Sequence, residues 1–257
     1  MSSVALAYAS ETTPAPQTGF SDRVAQLLDR IDCRLIEKDD EREAVARLRY
    51  DAYLREGAIA PNVSQTFTDS YDEAENCWMF GLYLDGHLAS SIRIHVGTEE
   101  TPVFPSLSVF ADLLGPELAA GKTIIDPTRF VTDPKLSRLH PGLPHLTLRL
   151  PWLASEYFSA EHFIVAVRSE HQAFYKRTFL HRSICGPRPY PLLSKPITLM
   201  TVNSRDVADQ VYRRYPFFRS SFFERRMMFE RYLPIPKIPL QARPRLVAGA
   251  PRVAQAG

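Results

Sequence analysis

Cysteine is scarce: Cys33, Cys77 and Cys185 are widely separated, odd in number and without a C-x-x-C. Such a set argues against a disulfide framework and for a reducing, cytoplasmic setting, so each reads as a small buried hydrophobe. Long apolar runs are missing too. No stretch approaches the ~18 residues that a membrane-spanning helix needs. The opening "MSSVALAYASETTPAPQTGF" has no basic segment ahead of its apolar residues, so a signal peptide is not expected. The seven histidines form no H-E-x-x-H, and with no C-x-x-C either the prediction is no metal site. No G-x-S-x-G turn presents a nucleophilic serine and no Cys–His pairing is evident, which disfavours a covalent enzyme intermediate. G-x-G is also absent, and Gly142 is the only glycine between Lys122 and Cys185. A glycine-rich turn cradling a nucleotide pyrophosphate at a helix start is therefore not expected.

What remains is an ordinary globular composition, 45% hydrophobic and 23% charged, with enough chain for a sizeable core. The net charge of +2 is unevenly placed. Residues 212–232 hold six Arg and two Glu, and residues 233–257 hold one Lys and three Arg without an acid. Each segment carries +4, so residues 1–211 carry −6. An acidic partner would meet the C-terminal end.

Residues 1–20 and 233–257 are rich in Pro, Ala and small polar residues without periodicity, and read as disordered tails around one domain, 21–232. Within it, "CRLIEK" (33–38) reads as a strand and 39–57 as a helix, opened by acids and closed by Gly57. After an irregular stretch, "WMFGLYL" and "HLASSIRIHV" flank Asp85-Gly86, the pair that favours a two-residue hairpin. Period-2 alternation puts Leu88, Ser90, Ile92, Ile94 and Val96 on one face, and Ala89, Ser91, Arg93 and His95 on the other. A short helix follows, then a strand over 123–132, a helix near 144–160, a strand over 162–167 and a helix over 170–182. "HPGLPH" (140–145) reads as a loop, 196–202 as a strand and 212–232 as a basic helix. Interleaved strands and helices with an early hairpin predict a mixed α/β sheet.

Several charges do not suit a core. Arg49 lies on the apolar stripe of Val45, Leu48, Ala52 and Tyr53. Arg93 is centred in a half-buried strand, Asp69 and Asp72 precede the hairpin, and "IIDPTRFVTDP" (124–134) holds Asp126 and Arg129. Buried charges need partners, so these residues either satisfy one another or line a polar pocket. Pro127 cannot donate to a ladder and marks an edge or a bulge. A bulge between Asp126 and Arg129 would turn both toward one site and free backbone N–H groups for an oxyanion.

The order of elements resembles the GNAT acyltransferase fold, and "AFYKRTF" resembles its late helix, with Tyr175 and Phe179 matched and Thr178 replacing a glycine. A stronger resemblance is to the acyl-homoserine lactone synthases and the related N-acyl amino acid synthases. It rests on Arg49 and Tyr53, then Asp69, Tyr71 and Asp72, then Arg93, then Asp126, Arg129 and Phe130, all in order. Phe67 and Ile59 stand where lactone synthases have an acid and a tryptophan, so "LRYDAYLREGAI", "DSYDEAENCWMFGLYLDG" and "IIDPTRFVTDP" resemble the N-acyl amino acid synthases more closely.

The resemblance implies a GNAT-like, mostly antiparallel sheet flanked by helices. It implies transfer of a long acyl chain from the phosphopantetheine of acyl carrier protein to the amine of an amino acid, giving a bacterial signalling lipid with no further cofactor. Asp126 or Asp72 would relay the amine proton, and Arg93 and Arg129 would order the site or hold the acceptor carboxylate. Backbone N–H groups near Thr128 would face the thioester oxygen and Tyr175 would protonate the thiolate, with Arg49, Tyr53, Asp69 and Phe130 around the substrates. The alternatives are a lactone synthase using S-adenosylmethionine and a non-catalytic binding module built on helix 212–232. That helix suits packing on the domain, which is preferred, then docking of acidic carrier protein, then an anionic membrane periphery. No nucleic-acid motif accompanies its aromatics and arginines.

Overall fold

The computed structural model describes residues 19–190 and 195–231; the tails, apart from Gly19 and Phe20, lie outside the described residues. In order come α1 (Phe20–Leu28), β1 (Ile31–Leu35), α2 (Asp39–Arg55), a 3-10 turn (Ser70–Glu73), β2 (Cys77–Leu84) and β3 (His87–Gly97). Then follow α3 (Leu107–Ala119), β4 (Ile124–Thr132), α4 (Pro134–Leu139), α5 (Leu143–Tyr157), β5 (His162–Val167) and α6 (Ser169–Phe179). The described chain closes with β6 (Arg182–Ser183), β7 (Thr198–Val202), α7 (Ser204–Arg214), a second 3-10 turn (Pro216–Phe218) and α8 (Phe222–Phe229).

The strands form one sheet in the order β1-β2-β3-β4-β5-β7-β6, antiparallel except between β4 and β5. Local chemistry explains the early elements. Asp39, Asp40 and Glu41 occupy the first turn of α2, and Gly57 follows it at φ +63. Asp85 and Gly86 both have positive φ, as the two-residue hairpin demands.

Two β-bulges correct the simple alternation. Leu82 pairs with Ser90 but Tyr83 with Leu88, so Ala89 is an extra residue. Leu88 consequently packs beside α2 with Ile36, Val45 and Met79, while Ala89 joins the main core. The second bulge is in β4: Ser91 pairs with Val131 and Arg93 with Thr128, leaving Arg129 and Phe130 opposite Ile92. Arg129 has φ +53, a left-handed conformation that is uncommon for a non-glycine residue.

The main core lies between the sheet and α1, α5, α7 and α8, around Trp152, Phe163, Phe179 and Phe218. Phe104, Phe110 and Leu114 cover the other face over Ile124, Ile164 and Leu199. Three further corrections concern boundaries. Leu143, Pro144 and His145 form the first turn of α5 rather than a loop. The first strand is Ile31–Leu35, earlier than expected. Residues 212–232 are not one helix, because Pro216 interrupts the chain between α7 and α8.

The decisive feature for function is a splay. β4 and β5 pair only at Ile124–His162 and Ile125–Phe163, yet β4 runs on to Thr132 and β5 to Val167. Pro127 donates no ladder bond and the Arg129 bulge bends β4 away, so the two strands part and leave a cleft.

Candidate active site

Five charged side chains from four elements meet beside this cleft. Arg49 projects inward from α2 and is 1% exposed. Its Nη1 donates to both oxygens of Asp72 at 2.9 Å. Asp69 caps the first 3-10 turn, accepting from the Tyr71 backbone N–H at 3.0 Å. Arg93, also 1% exposed, holds the centre. Its Nη1 donates to Asp69 at 2.5 Å and to Asp72 at 2.8 Å, its Nη2 to Asp69 at 3.3 Å, and its Nε to Thr128 Oγ1 at 3.0 Å. Arg129 completes the row, its Nη2 at 2.5 Å and its Nε at 3.2 Å from Asp69 Oδ2.

Three guanidiniums against two carboxylates leave one positive charge. Burial works to raise the Asp69 carboxyl, but the hydrogen bonds from Arg93 and Arg129 outweigh it and hold the group far below the carboxylate range. Burial works against the charge on Arg93 and Arg129 as well; the Asp69 and Asp72 carboxylates reverse that effect on Arg93, and Tyr53 followed by the Asp69 carboxylate reverses it on Arg129. Each nitrogen of the Arg93 guanidinium bonds to a protein group, so Arg93 organises the row. Arg129 differs, because only its Nε and Nη2 bond to Asp69, while Tyr53 also favours its charge. Its guanidinium lies 4.2 Å from the Phe67 ring and 5.4 Å from that of Tyr53, which themselves pack at 4.8 Å.

The splay opens a cavity of 460 Å³. Its wall on one side is Thr128, Arg129, Phe130 and Val131, and on the other Val165, Ala166 and Val167, with Tyr53 from α2 and Tyr175 from α6. Glu56 and Arg168, joined at 2.5 Å, link the end of α2 to the start of α6 on its lining. Tyr53, Arg93, Thr128, Arg129, Phe130 and Tyr175 of the sequence-derived set thus line one space, whereas Arg49, Asp69 and Asp72 stand behind it.

Asp126 is placed differently from the expectation that it and Arg129 approach together. It pairs with His95 across β3 and is wholly buried. Its two oxygens accept from the Ser106 backbone N–H at 2.9 Å and from the Ser106 hydroxyl at 2.8 Å. Ser106, not Asp126, lines the cavity. Burial pushes the Asp126 carboxyl up to about 6, with the Ser106 bonds and Arg93 working against the rise.

Burial also raises the Tyr175 phenol above the ordinary tyrosine range, making it a weaker acid than an exposed tyrosine. Ser106 and Tyr190 escaped sequence reasoning. Both lie on irregular segments, and no periodicity aims them at the site. Tyr190 lines the cavity within electrostatic reach of Asp126 and Arg129, and burial pushes its phenol up to about 12.

A cleft with a cationic row beside it and a buried carboxylate reached through a hydroxyl suits acyl transfer. The comparisons agree. Residues 44–203 match the family model of the N-acyl amino acid synthase FeeM. The fold is similar to the structure of FeeM, an N-acyl amino acid synthase from uncultured soil microbes, at 19% identity and a TM-score of 0.60, covering 70% of this chain and 94% of that one. It is also similar to the acyl-homoserine lactone synthase LasI, at 15% identity and a TM-score of 0.52, covering 66% and 89%. TofI, solved with an inhibitor and MTA, matches at 11% identity and a TM-score of 0.52, covering 70% and 95%. No curated protein matches the chain. The architecture is GNAT-like, and the chain, an acyltransferase, belongs to the N-acyl amino acid synthase family typified by FeeM.

Proposed function

We propose that this acyltransferase moves a long acyl chain from the phosphopantetheine thioester of acyl carrier protein to the amine of an amino acid. The observation that carries the reading is the pairing, in one cavity, of Arg129 with apolar walls from β4 and β5. The guanidinium suits the acceptor carboxylate, and Phe130, Val131, Val165 and Val167 suit the acyl chain.

The amine nitrogen attacks the thioester carbonyl, a C–N bond forms and the C–S bond breaks. The amine proton passes through the Ser106 hydroxyl, directly or by a water, to Asp126, ionised above pH about 6. The bulged backbone of Thr128–Phe130 faces the carbonyl oxygen as its charge develops. The departing thiolate takes up a proton and leaves as the thiol. Exchange of a thioester for an amide asks for no further cofactor, and an acyl carrier donor places the reaction in the cytoplasm.

Lactone formation from S-adenosylmethionine is the runner-up. It is less well served, because Phe67 packs on Arg129 where the lactone synthases carry an acid, and no carboxylate there meets a cationic sulfonium.

Heterologous expression followed by lipid mass spectrometry tests the proposal. The expected products fragment to a fatty acid and an amino acid, and vanish with Arg129→Ala. Acyl lactones would favour the runner-up, and an Arg129→Ala protein that is folded and equally productive would remove Arg129 from the site.

A further inference from the structure

The short helix α8 is built with its apolar residues on both sides. Phe229 faces inward at 2% exposure, against Phe80, Tyr157 and Phe158. Glu224 also turns inward, to Arg149 at 2.5 and 3.0 Å, and Arg225 turns to Glu156 at 3.0 Å. The outward face is then left to Phe222, Phe223 and Met227, at 67%, 69% and 60% exposure, with Arg226 among them. Elsewhere among the described residues the large exposed apolar side chains stand singly; here three share one helix face.

The segment that carries this face is cationic in sequence, with six Arg against two Glu over residues 212–232. Both acids of the segment are already neutralised, Glu224 by Arg149 and Glu230 by Arg226. Arg213, Arg214 and Arg219 stand exposed just before the helix. The chain beyond Arg231 adds Lys237, Arg243, Arg245 and Arg252 and no acid. Outward aromatic and thioether side chains on an arginine-rich segment match the headgroup layer of an anionic bilayer, where rings enter the interface and guanidiniums meet phosphate.

We propose that the outward face of α8 docks this protein on anionic membranes. The placement is consistent with release of an amphiphilic acyl product, a point that rests on the proposed function, but the test below needs neither acyl donor nor acceptor.

The full chain would be floated with vesicles of phosphatidylcholine alone or of phosphatidylcholine with phosphatidylglycerol. The expected result is co-flotation with the anionic vesicles only, weakened by salt. Combined Phe222→Ser, Phe223→Ser and Met227→Ser should cut the bound fraction by about tenfold or more. All three side chains are exposed, so the variant keeps its fold, checked by an unchanged melting temperature. Binding unchanged by the three substitutions overturns the proposal. Absence of flotation by the unmodified chain also overturns it, whether the face is then covered by residues 232–257 or by a protein such as the acyl donor's carrier.

Discussion

Replacing Ser106 with Ala should move the acid side of the pH–activity profile upward by one to two units. Asp126 is wholly buried and titrates at about 6 because burial disfavours its charge, while the Ser106 hydroxyl, 2.8 Å from Oδ1, favours it. A hydrogen bond to a charged group is worth about 1.5–3 kcal/mol. At ~1.36 kcal/mol per pKa unit, its loss lifts the carboxyl by about one to two units, to about 7–8. kcat/KM against pH for acyl transfer should therefore rise through about 6 in the unmodified enzyme and at about 7–8 in Ser106→Ala.

A second readout needs no substrate. The folded-state pKa of Asp126 lies above its unfolded value, so its contribution to stability is full below about 4 and lost as pH rises through about 6. Without the hydroxyl the loss continues to higher pH. Denaturant unfolding should find Ser106→Ala more destabilised at pH 8 than at pH 5, by about 1.4–2.7 kcal/mol. Parallel stability curves together with an unmoved activity limb would refute the Ser106–Asp126 linkage.

Other perturbations follow from the same geometry. Arg93→Met removes the donor shared by Asp69 and Asp72, which keep Arg129 and Arg49 as partners, and urea unfolding should show a loss of about 1–3 kcal/mol along with activity. Tyr175→Phe should leave kcat within about twofold, since the buried phenol is a poor acid; a fall of about tenfold or more would restore it as the proton donor. Ala166→Phe fills the β5 wall, and mass spectrometry of the products should find shorter acyl chains. His181, buried among Phe163, Tyr175 and Phe179, is pushed down to about 3 by burial, so stability falls as pH drops below about 6.5. His181→Phe should remove about 2 kcal/mol of the difference in unfolding free energy between pH 7.5 and pH 5.

Much of this was present in the order of residues. Alternation and the Asp85-Gly86 turn announced the β2–β3 hairpin, because local backbone preference and side-chain period act within a few residues. Out-of-place charges announced the row of ion pairs, since a buried arginine without a partner is too costly to stand alone. Even the bulge beside Arg129 could be argued from a proline and a parity conflict. The 3.6 period alone, however, gave no warning that Pro216 would divide residues 212–232, nor which side of α8 would face out.

The sequence by itself determined the fold class and which charged residues would have to find one another, because burial cost and periodicity are properties of neighbours along the chain. Only tertiary structure decided how the roles divide. Arg93 bonds to Asp69, Asp72 and Thr128 while Arg129 bonds to Asp69 and lines the cavity, Asp126 reaches the cavity through Ser106, and Tyr190 enters from a distant loop. These outcomes depend on where the splayed β4 and β5 leave space and on which side chains fill the rest. That space exists only once strands far apart in sequence have paired.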